Sequence, residues 1–238
     1  MTSKDELRFE VENADLRRLL AQAGIDAAEH RVVEKLQRLL LEELHHRVKN
    51  TLAIVMAIAS QSLESAATVE HGKKAIEHRL IALGRVHDLL LQSHWTSTPL
   101  TAILKTAIDP FDGGEGRFIM QGSNIEVSAA AVLPLAMVLN ELCTNAVKYG
   151  ALSKPTGRVE INATVDVAKN QFRLQWMERG GPVVRTPTHR SFGTRLIEQS
   201  FVSQLEGKAR LSFEPSGVVC ELDIPLASLK PGSLPQPG

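Results

Sequence analysis

The fold of this 238-residue chain is decided by the stretch Asn140-Glu141-Leu142-Cys143-Thr144-Asn145-Ala146-Val147-Lys148-Tyr149-Gly150. Three of its side chains, Glu141, Asn145 and Lys148, are spaced i, i+4 and i+7, which places them on one face of a helix. A carboxylate and an amide oxygen one turn apart suit Mg²⁺, and a nearby ammonium neutralises phosphate charge. The stretch predicts a helix that holds a magnesium-bound polyphosphate, although this spacing on its own is more often an ordinary solvated face.

The residues on either side predict a layered domain around this helix. The helix is expected over residues 128–148, with Ser128 as its cap. Its other face should be buried against a sheet by Leu135, Leu139, Leu142 and Ala146. The elements expected next are strands near 159–165 and 172–176, joined at 166–170, a helix over 193–204, and a second hairpin made of 209–213 and 218–224. This order predicts the α+β class, with a mixed sheet covered on one face by helices.

Two glycine-containing segments downstream complete the picture of a nucleotide site. In the first, Glu178 ends a predicted strand and could accept a hydrogen bond from an adenine amino group. Gly180 and Gly181 follow it in a turn where backbone can approach a flat ligand. In the second, Gly193 stands at a helix start, a natural seat for phosphate, and residues 183–190 would form a mobile lid. Each glycine segment alone is a common turn. The helix with Glu141, Asn145 and Lys148 followed by both segments, in this order, is not common.

The N-terminal part predicts long amphipathic helices. A helix over 5–23 should break at Gly24, and Asp26 can cap the next helix, which runs to about Glu64. A second helix over 69–92 would make an antiparallel hairpin with it. A hairpin alone leaves apolar surface uncovered, so pairing two copies into a four-helix bundle is expected. The alternative is a monomer in which the N-terminal helix folds back over the hairpin.

His46 is the candidate nucleophile of this hairpin. The apolar stripe of its helix consists of Leu41, Leu44, Val48, Leu52, Val55 and Ala59. His46 projects almost opposite that stripe and should face water, whereas His45 sits at the stripe's edge and should pack or hydrogen-bond. A neutral exposed imidazole has one ring nitrogen free to attack phosphorus. Asn50, one turn later, could orient the phosphoryl group or a water, and a plain surface role is equally typical of it.

Composition excludes several other functions. The chain has 27 basic and 27 acidic residues, so a nucleic-acid role has little electrostatic support. Cys143 and Cys220 form no CxxC pair and are expected to be reduced and buried. No opening stretch resembles a signal peptide, and no run is expected to reach the roughly 20 apolar residues that span a bilayer. A cytoplasmic protein without membrane insertion is therefore expected.

Four motifs occur in an order typical of one protein family. They are His46-Arg47-Val48-Lys49-Asn50; Glu141-Leu142-x-x-Asn145-Ala146-x-Lys148-Tyr149-Gly150-Ala151-Leu152-Ser153; Trp176-x-Glu178-x-Gly180-Gly181-Pro182; and Phe192-Gly193-Thr194-x-Leu196-Ile197. Together they resemble the HWE group of bacterial sensor histidine kinases over residues 35–226. That group has a histidine before the Glu of the nucleotide helix, where this chain has Asn140, and HisKA_2-type kinases are the neighbouring choice.

The resemblance implies a domain order and a set of site residues. A regulatory segment, 1–30, would precede the dimerisation and phosphotransfer hairpin, 31–96, a GHKL (Bergerat) ATP-binding domain, 97–227, and a disordered tail, 228–238. The candidate residues are His46, Glu141 and Asn50 for catalysis; Asn145, Lys148, Tyr149, Glu178, Gly180, Gly181, Gly193 and Thr194 for ATP; and Asn145 with Glu141 for Mg²⁺.

The resemblance also implies a reaction and partners. His46 would be phosphorylated from ATP and pass the group to an aspartate of a response-regulator receiver, with a general-stress regulator of the PhyR type as one candidate. About 30 residues before the hairpin are too few for a PAS, LOV or GAF sensor, so input is expected from a separate protein, from the N-terminal helix, or not at all. The alternatives are a GHKL serine kinase of the anti-sigma type and a non-catalytic phosphotransfer scaffold with a degenerate ATP fold.

Overall fold

The chain forms long N-terminal helices followed by a sheet domain. The computed structural model describes residues 3–64, 66, 68–184 and 205–230. The chain divides into two compact units, residues 1–57 and 58–238. The elements are α1 (Ser3–Glu64), α2 (Val69–Gln92), β1 (Ser97–Pro99), α3 (Leu100–Asp112), β2 (Phe118–Gly122), β3 (Glu126–Ser128), α4 (Ala129–Lys148), a 3-10 turn (Ala151–Ser153), β4 (Arg158–Asp166), β5 (Gln171–Arg179), β6 (Lys208–Glu214), β7 (Gly217–Pro225) and α5 (Leu226–Leu229).

The first unit contains α1 as far as Ala57, and this helix corrects one expectation. The helix is continuous from Ser3 to Glu64, so the predicted break at Gly24 and the cap at Asp26 are wrong. A glycine in a helix interior costs only about 1 kcal/mol relative to alanine, and alanines at 21, 23, 27 and 28 flank this one. The alternative in which a separate N-terminal helix folds back over a hairpin is therefore also wrong.

Many apolar side chains of α1 are exposed in the single chain. Within the predicted stripe, Leu41 is 56% exposed, Val48 48% and Leu52 58%. Other large apolar residues of the same helix are exposed as well: Leu16, Leu19, Val32, Val33, Leu36, Leu39, Met56 and Leu63. One copy of the chain thus leaves the stripe's apolar surface largely in water.

The second unit begins with the closed end of the predicted hairpin. The helix α2 spans Val69–Gln92 as predicted, and the hydroxyl of Thr68 accepts a hydrogen bond from the His71 N–H at its start. A Cβ on Gly72 would lie 3.0 Å from Cδ2 of Leu63, so the end of α1 packs closely on the start of α2. Further along α2, Val86 and Leu90 belong to the same buried core as the sheet domain. The helix α2 therefore packs with the domain that follows it.

The sheet of the second unit is mixed, as predicted. Its strand order is β2-β4-β5-β7-β6, with β2 parallel to β4 and all other neighbours antiparallel. In β4, β5 and β7, alternate residues point into the core, because side chains of a strand alternate between its faces. The buried set consists of Val159, Ile161 and Ala163 on β4, Phe172, Leu174 and Trp176 on β5, and Cys220, Leu222 and Ile224 on β7.

Helix α4 is the central helix packed in this core. Leu135, Leu139, Leu142 and Ala146 are at most 2% exposed, which confirms the predicted buried face. Ser128 occupies the N-cap position, but its side chain makes no capping hydrogen bond. By length and composition the segment Ala129–Ser153 is apolar enough to cross a membrane, contrary to the sequence expectation. Because 72% of its apolar window is buried inside the protein, it is accounted for as a core helix.

Several elements were not predicted, although one of them, α3, has its buried apolar residues at helical spacing (Leu100, Ile103, Leu104, Ala107 and Ile108). The unpredicted elements are β1, α3, β2, β3 and the short helix α5. Helix α5 includes residues 228 and 229, which the sequence assigned to a disordered tail, and Leu229 is only 1% exposed. Its first amide, on Leu226, donates to the carbonyl of Asn170 in the β4–β5 turn. The predicted helix over 193–204, the lid from 185 onward and the tail from 231 onward lie outside the described residues.

Candidate nucleotide site

The three polar residues of α4 differ in exposure along the helix. Glu141 is buried, Asn145 is half-buried and Lys148 is exposed, although they follow one another on successive turns. The gradient arises because α2 packs against α4 and covers the part of this face that contains Glu141. Only the C-terminal end of the predicted polar face, at Asn145 and Lys148, is thus open to a ligand.

Glu141 is held by an arginine from α2. Its Oε1 accepts from Nε of Arg79 at 2.7 Å, and its Oε2 accepts from Nη2 of the same guanidinium at 3.0 Å. Nη1 of Arg79 donates to Oγ of Ser62 at 2.6 Å, near the end of α1. Glu141 therefore does not present its carboxylate to solvent here. The sequence pattern missed Arg79 and Ser62 because they lie 62 and 79 residues away from Glu141.

The C-terminal end of α4 leads directly into a tight turn. The carbonyl of Asn145 accepts from the amides of Tyr149 at 2.8 Å and Gly150 at 3.0 Å. These bonds use the backbone carbonyl of Asn145, so its side-chain amide is not needed to terminate the helix. Tyr149 is 74% exposed, which leaves its ring free to lie over a bound ligand rather than in the core.

Glu178 is a buried carboxylate at the end of β5. It continues the inward series of Phe172, Leu174 and Trp176 on that strand and is 2% exposed. Its Oε2 accepts from the amide of Ala151 at 2.7 Å, and its Oε1 accepts from the indole N–H of Trp176 at 3.4 Å. Burial raises the pKa of Glu178, and the two hydrogen bonds oppose that rise. An ionised carboxylate still has unused acceptor positions, so Glu178 can receive a further donor.

Glycines surround Glu178 because its neighbours approach too closely for a side chain. A Cβ on Gly150 would overlap Oε2 of Glu178, and a Cβ on Gly217 would overlap the carbonyl oxygen of Glu178. Gly180 has a φ of +72°, and a Cβ on Gly181 would lie 2.6 Å from Cα of Ala151. Gly150 lies within the stretch 140–150, and no separate role was predicted for it. Gly217 begins β7, and together Gly150 and Gly217 form a cradle around Glu178.

The residues predicted around the candidate nucleophile His46 are only partly described. His46 has helical backbone in α1, and its side chain lies outside the described part of the structure. Its neighbour His45 is exposed rather than packed, contrary to expectation. Asn50, Ala53 and Ala57 are exposed, so the small-residue face predicted around His46 is accessible. Gly193 and Thr194 lie outside the described residues.

The donors near Asn145 fit a magnesium ion that is shared with phosphates. Within residues 3–64, 66, 68–184 and 205–230, no three His, Cys, Asp or Glu side chains cluster as a self-sufficient metal site. Mg²⁺ commonly takes one or two protein ligands and completes its octahedron with water and phosphate oxygens. The amide oxygen of half-buried Asn145 suits that mode, whereas both oxygens of Glu141 are engaged by Arg79.

Comparison with known proteins points to one family. The sequence model described as HWE histidine kinase matches residues 43–124. The blue-light-activated histidine kinase of Brucella anthropi is 37% identical over 207 residues, which cover 86% of this chain and 42% of that protein. The protein of the same name from Brucella ovis is 34% identical over 204 residues, 84% of this chain and 42% of that protein. The chain thus spans about two fifths of the length of these relatives.

Solved structures show the same fold. The Erythrobacter litoralis EL346 blue-light activated histidine kinase superimposes with a TM-score of 0.57 at 21% identity, covering 78% of this chain and 58% of that one. The histidine kinase domain of that protein superimposes with a TM-score of 0.55 at 18% identity, covering 74% of this chain and 84% of that one. The predicted fold, N-terminal helices followed by the sheet domain of histidine kinases, is confirmed.

Proposed function

We propose that this chain is an ATP-dependent protein-histidine kinase that phosphorylates its own His46, because the HWE histidine kinase model matches residues 43–124. The observation that supports this most is the cradle around Glu178. A buried carboxylate is fixed by the Ala151 amide at 2.7 Å, just beyond the end of the helix that contains Asn145 and Lys148. Adenine and phosphate recognition would thereby be joined by one short turn.

Each group of the site would have one task in binding ATP. The unused acceptor positions of Glu178 would take the adenine amino group, and Gly180 and Gly181 would let backbone approach the ring. Lys148 would neutralise phosphate charge, and Gly193 with Thr194 would complete the phosphate seat. Asn145, with Glu141 as its companion, would hold Mg²⁺. That ion, when bound, neutralises charge on the phosphate oxygens.

His46 would then act as the nucleophile. Its unprotonated ring nitrogen attacks the γ-phosphorus, so an N–P bond forms while the bond from that phosphorus to the bridging oxygen of ADP breaks. ADP leaves with that electron pair, and the proton on the other ring nitrogen is released to give neutral phosphohistidine. Asn50, one turn along α1, would orient the phosphoryl group. Catalysis of this kind consists mainly of positioning and charge neutralisation.

The phosphoryl group would pass to a response regulator. A carboxylate oxygen of a receiver aspartate attacks phosphorus, so an O–P bond forms and the N–P bond to His46 breaks. The exposed small side chains at Ala53 and Ala57 leave room for such a partner beside the helix. A receiver of the PhyR type is the candidate that the family resemblance supplies.

We further propose that the active form is a homodimer. Leu41, Val48 and Leu52 expose about half of their surface in one copy. Apolar surface of this extent on a helix is normally covered by a partner helix. A second copy would cover it in a four-helix bundle, because an identical helix presents the same stripe.

The kinase proposal is tested by labelling with γ-labelled ATP. Wild type and His45→Ala should incorporate label that is lost in acid and kept in alkali, as phosphohistidine is, whereas His46→Ala should incorporate none while still binding ATP. His45→Ala is the matched control because it is the exposed neighbour on the same helix. An acid-stable label would favour a serine kinase instead. Wild-type protein that binds no ATP would favour the degenerate scaffold.

A further inference from the structure

Three polar side chains from three helices form one buried network. Arg79 of α2 donates two hydrogen bonds to the carboxylate of Glu141 on α4, at 2.7 and 3.0 Å, and a third to Ser62 of α1, at 2.6 Å. The side chains of Arg79 and Glu141 are 12% and 4% exposed, and Ser62 is fully buried. The network therefore joins the end of the helix that also contains His46 to the helix of the nucleotide site.

The geometry of the pair makes it a strong and specific contact. A bidentate bond between guanidinium and carboxylate fixes both planes and is stronger than a bond between neutral groups. Its burial shields it from solvent screening, and removing one partner would leave the other charge uncompensated. While this contact persists, neither oxygen of Glu141 is directed to the open end of the polar face at Asn145 and Lys148.

We propose that Arg79 is a positioning residue that withholds Glu141 from the nucleotide, and that the site reaches full activity when α2 releases this carboxylate. The inference rests on the proposed function, in which Glu141 acts as the companion of Asn145 at Mg²⁺. The position of α2 would thereby set the affinity for Mg-ATP. Ser62 links the same switch to α1, so a movement of the hairpin is transmitted to the ATP site.

The energetics of such a switch are reciprocal. If release of Glu141 strengthens Mg-ATP binding, then Mg-ATP binding must favour release by the same factor. Coupling between two sites in proteins is typically about 5–150-fold in affinity. The effect should depend on the metal, because the released group is a carboxylate that acts through Mg²⁺. Metal-free ATP should therefore gain no affinity when Arg79 releases Glu141, because without the ion the carboxylate and the phosphates repel each other.

The test compares ATP binding, with Mg²⁺ and with a chelator, among three variants of the full chain. Arg79→Gln removes the charge, and Arg79→Lys keeps the charge but cannot make the bidentate contact. Arg173→Gln is the matched control, because Arg173 makes the same bidentate contact to Asp223, at 2.6 and 3.1 Å, on an exposed part of the sheet. We expect Arg79→Gln to bind Mg-ATP about five-fold or more tightly than wild type. Arg79→Lys should show a smaller gain, and Arg173→Gln none.

The outcomes separate this inference from the proposed function. Unchanged or weaker Mg-ATP binding in both Arg79 variants, with normal binding and labelling in wild type, overturns the inference alone. An equal gain with and without Mg²⁺ also overturns it, because a loosened domain would change both affinities. If Arg79→Gln fails to fold, the Mg-ATP affinity of Arg79→Lys decides the test, because the lysine ammonium still compensates the charge of Glu141. Wild type that neither binds ATP nor labels overturns the proposed function itself.

Discussion

The amide of Ala151 donates to Oε2 of Glu178 at 2.7 Å, and this bond joins the turn after α4 to the end of β5. The two residues are 27 positions apart, and Glu178 is 2% exposed. A carboxylate in such a place is fixed before any ligand arrives, so adenine would meet a preorganised acceptor. Substitutions that displace or neutralise Glu178 should therefore weaken ATP binding.

Gly150→Ala should damage the site by steric overlap. The added methyl group would overlap Oε2 of Glu178 and would lie 2.9 Å from Cα of Ala146. Forcing an extra carbon into a packed site typically costs about 1–3 kcal/mol. We expect the free energy of unfolding in urea to fall by that amount and ATP binding to weaken because Glu178 is displaced.

Gly84→Ala is the matched control for this substitution. Gly84 lies in α2, and a Cβ there would meet nothing within 4 Å. Alanine in a helix interior is favoured over glycine by about 0.5–1 kcal/mol, so this variant should be slightly more stable and bind ATP normally. Equal stability of the Gly150 and Gly84 variants would contradict the close approach of Gly150 to Glu178.

Glu178→Gln should flatten the dependence of stability on pH. Burial raises the pKa of Glu178 above its ordinary value of 4.5 in the folded protein. Between the unfolded and the folded pKa, the native state binds more protons than the unfolded state, so stability falls as pH rises through that window. The decline can reach about 1.4 kcal/mol per pH unit for one proton. Glutamine does not titrate, so the free energy of unfolding should decline less from about pH 4.5 upward.

The comparison variant is Glu214→Gln, which makes the same substitution at an exposed carboxylate on β6. The Glu178 variant should also bind ATP more weakly than the control, because an amide that presents its NH₂ group repels the adenine amino group. A Glu178→Gln profile that parallels wild type across the window would show that burial does not perturb this carboxyl.

The sheet domain could be predicted where its pattern is local. Alternation identified β4 and β5, and the same alternation places Glu178 on the inward face after Trp176. In contrast, β2 is an edge strand whose Ile119 and Met120 are about 40% exposed, so it shows no alternation of buried and exposed residues. Its parallel pairing with β4 is a long-range property that no local period reveals.

The candidate site shows the same division. The spacing of Glu141, Asn145 and Lys148 correctly predicted a shared helix, because helical periodicity is local. It could not predict that Arg79 covers Glu141, because ion pairs between distant segments depend on tertiary packing. The error at Gly24 has the opposite cause, since a local breaker was outweighed by the helix formers around it.

Asn145→Ala should remove the magnesium dependence of ATP binding while preserving the fold. The bonds that end α4 use the backbone carbonyl of Asn145, which the substitution retains. Alanine also favours the helix, so thermal unfolding should change little. Calorimetric titration with and without Mg²⁺ is the measurement. Val147→Ala, on the exposed side of the same helix turn, should keep the magnesium effect. Retention of that effect in Asn145→Ala would exclude Asn145 as a metal ligand.

The two cysteines should be inert in the folded protein. Cys143 and Cys220 are both free and fully buried, as predicted. Burial raises the pKa of the Cys220 thiol to about 12 and raises that of Cys143 well above its usual range, where the nearby Glu178 adds to the effect. Because the thiolate is the reactive form, iodoacetamide at pH 8 should leave both unmodified until urea unfolds the chain. Mass spectrometry that finds native protein alkylated at either position would contradict this packing.

Leu52→Glu should weaken the proposed dimer. Leu52 is 58% exposed in one copy, and covering a leucine typically contributes about 1.5–3 kcal/mol. Each dimer would lose two such contacts and gain two charges in an apolar interface. The dissociation constant of the dimer should therefore rise at least about ten-fold, which corresponds to about 1.4 kcal/mol. Light scattering after gel filtration measures the change in molar mass. Val167→Glu, in the β4–β5 turn and 81% exposed, is the matched control and should leave the mass of wild type unchanged. A wild type that is monomeric at micromolar concentration, or a Leu52→Glu variant as dimeric as the control, would exclude this face of α1 as the dimer interface.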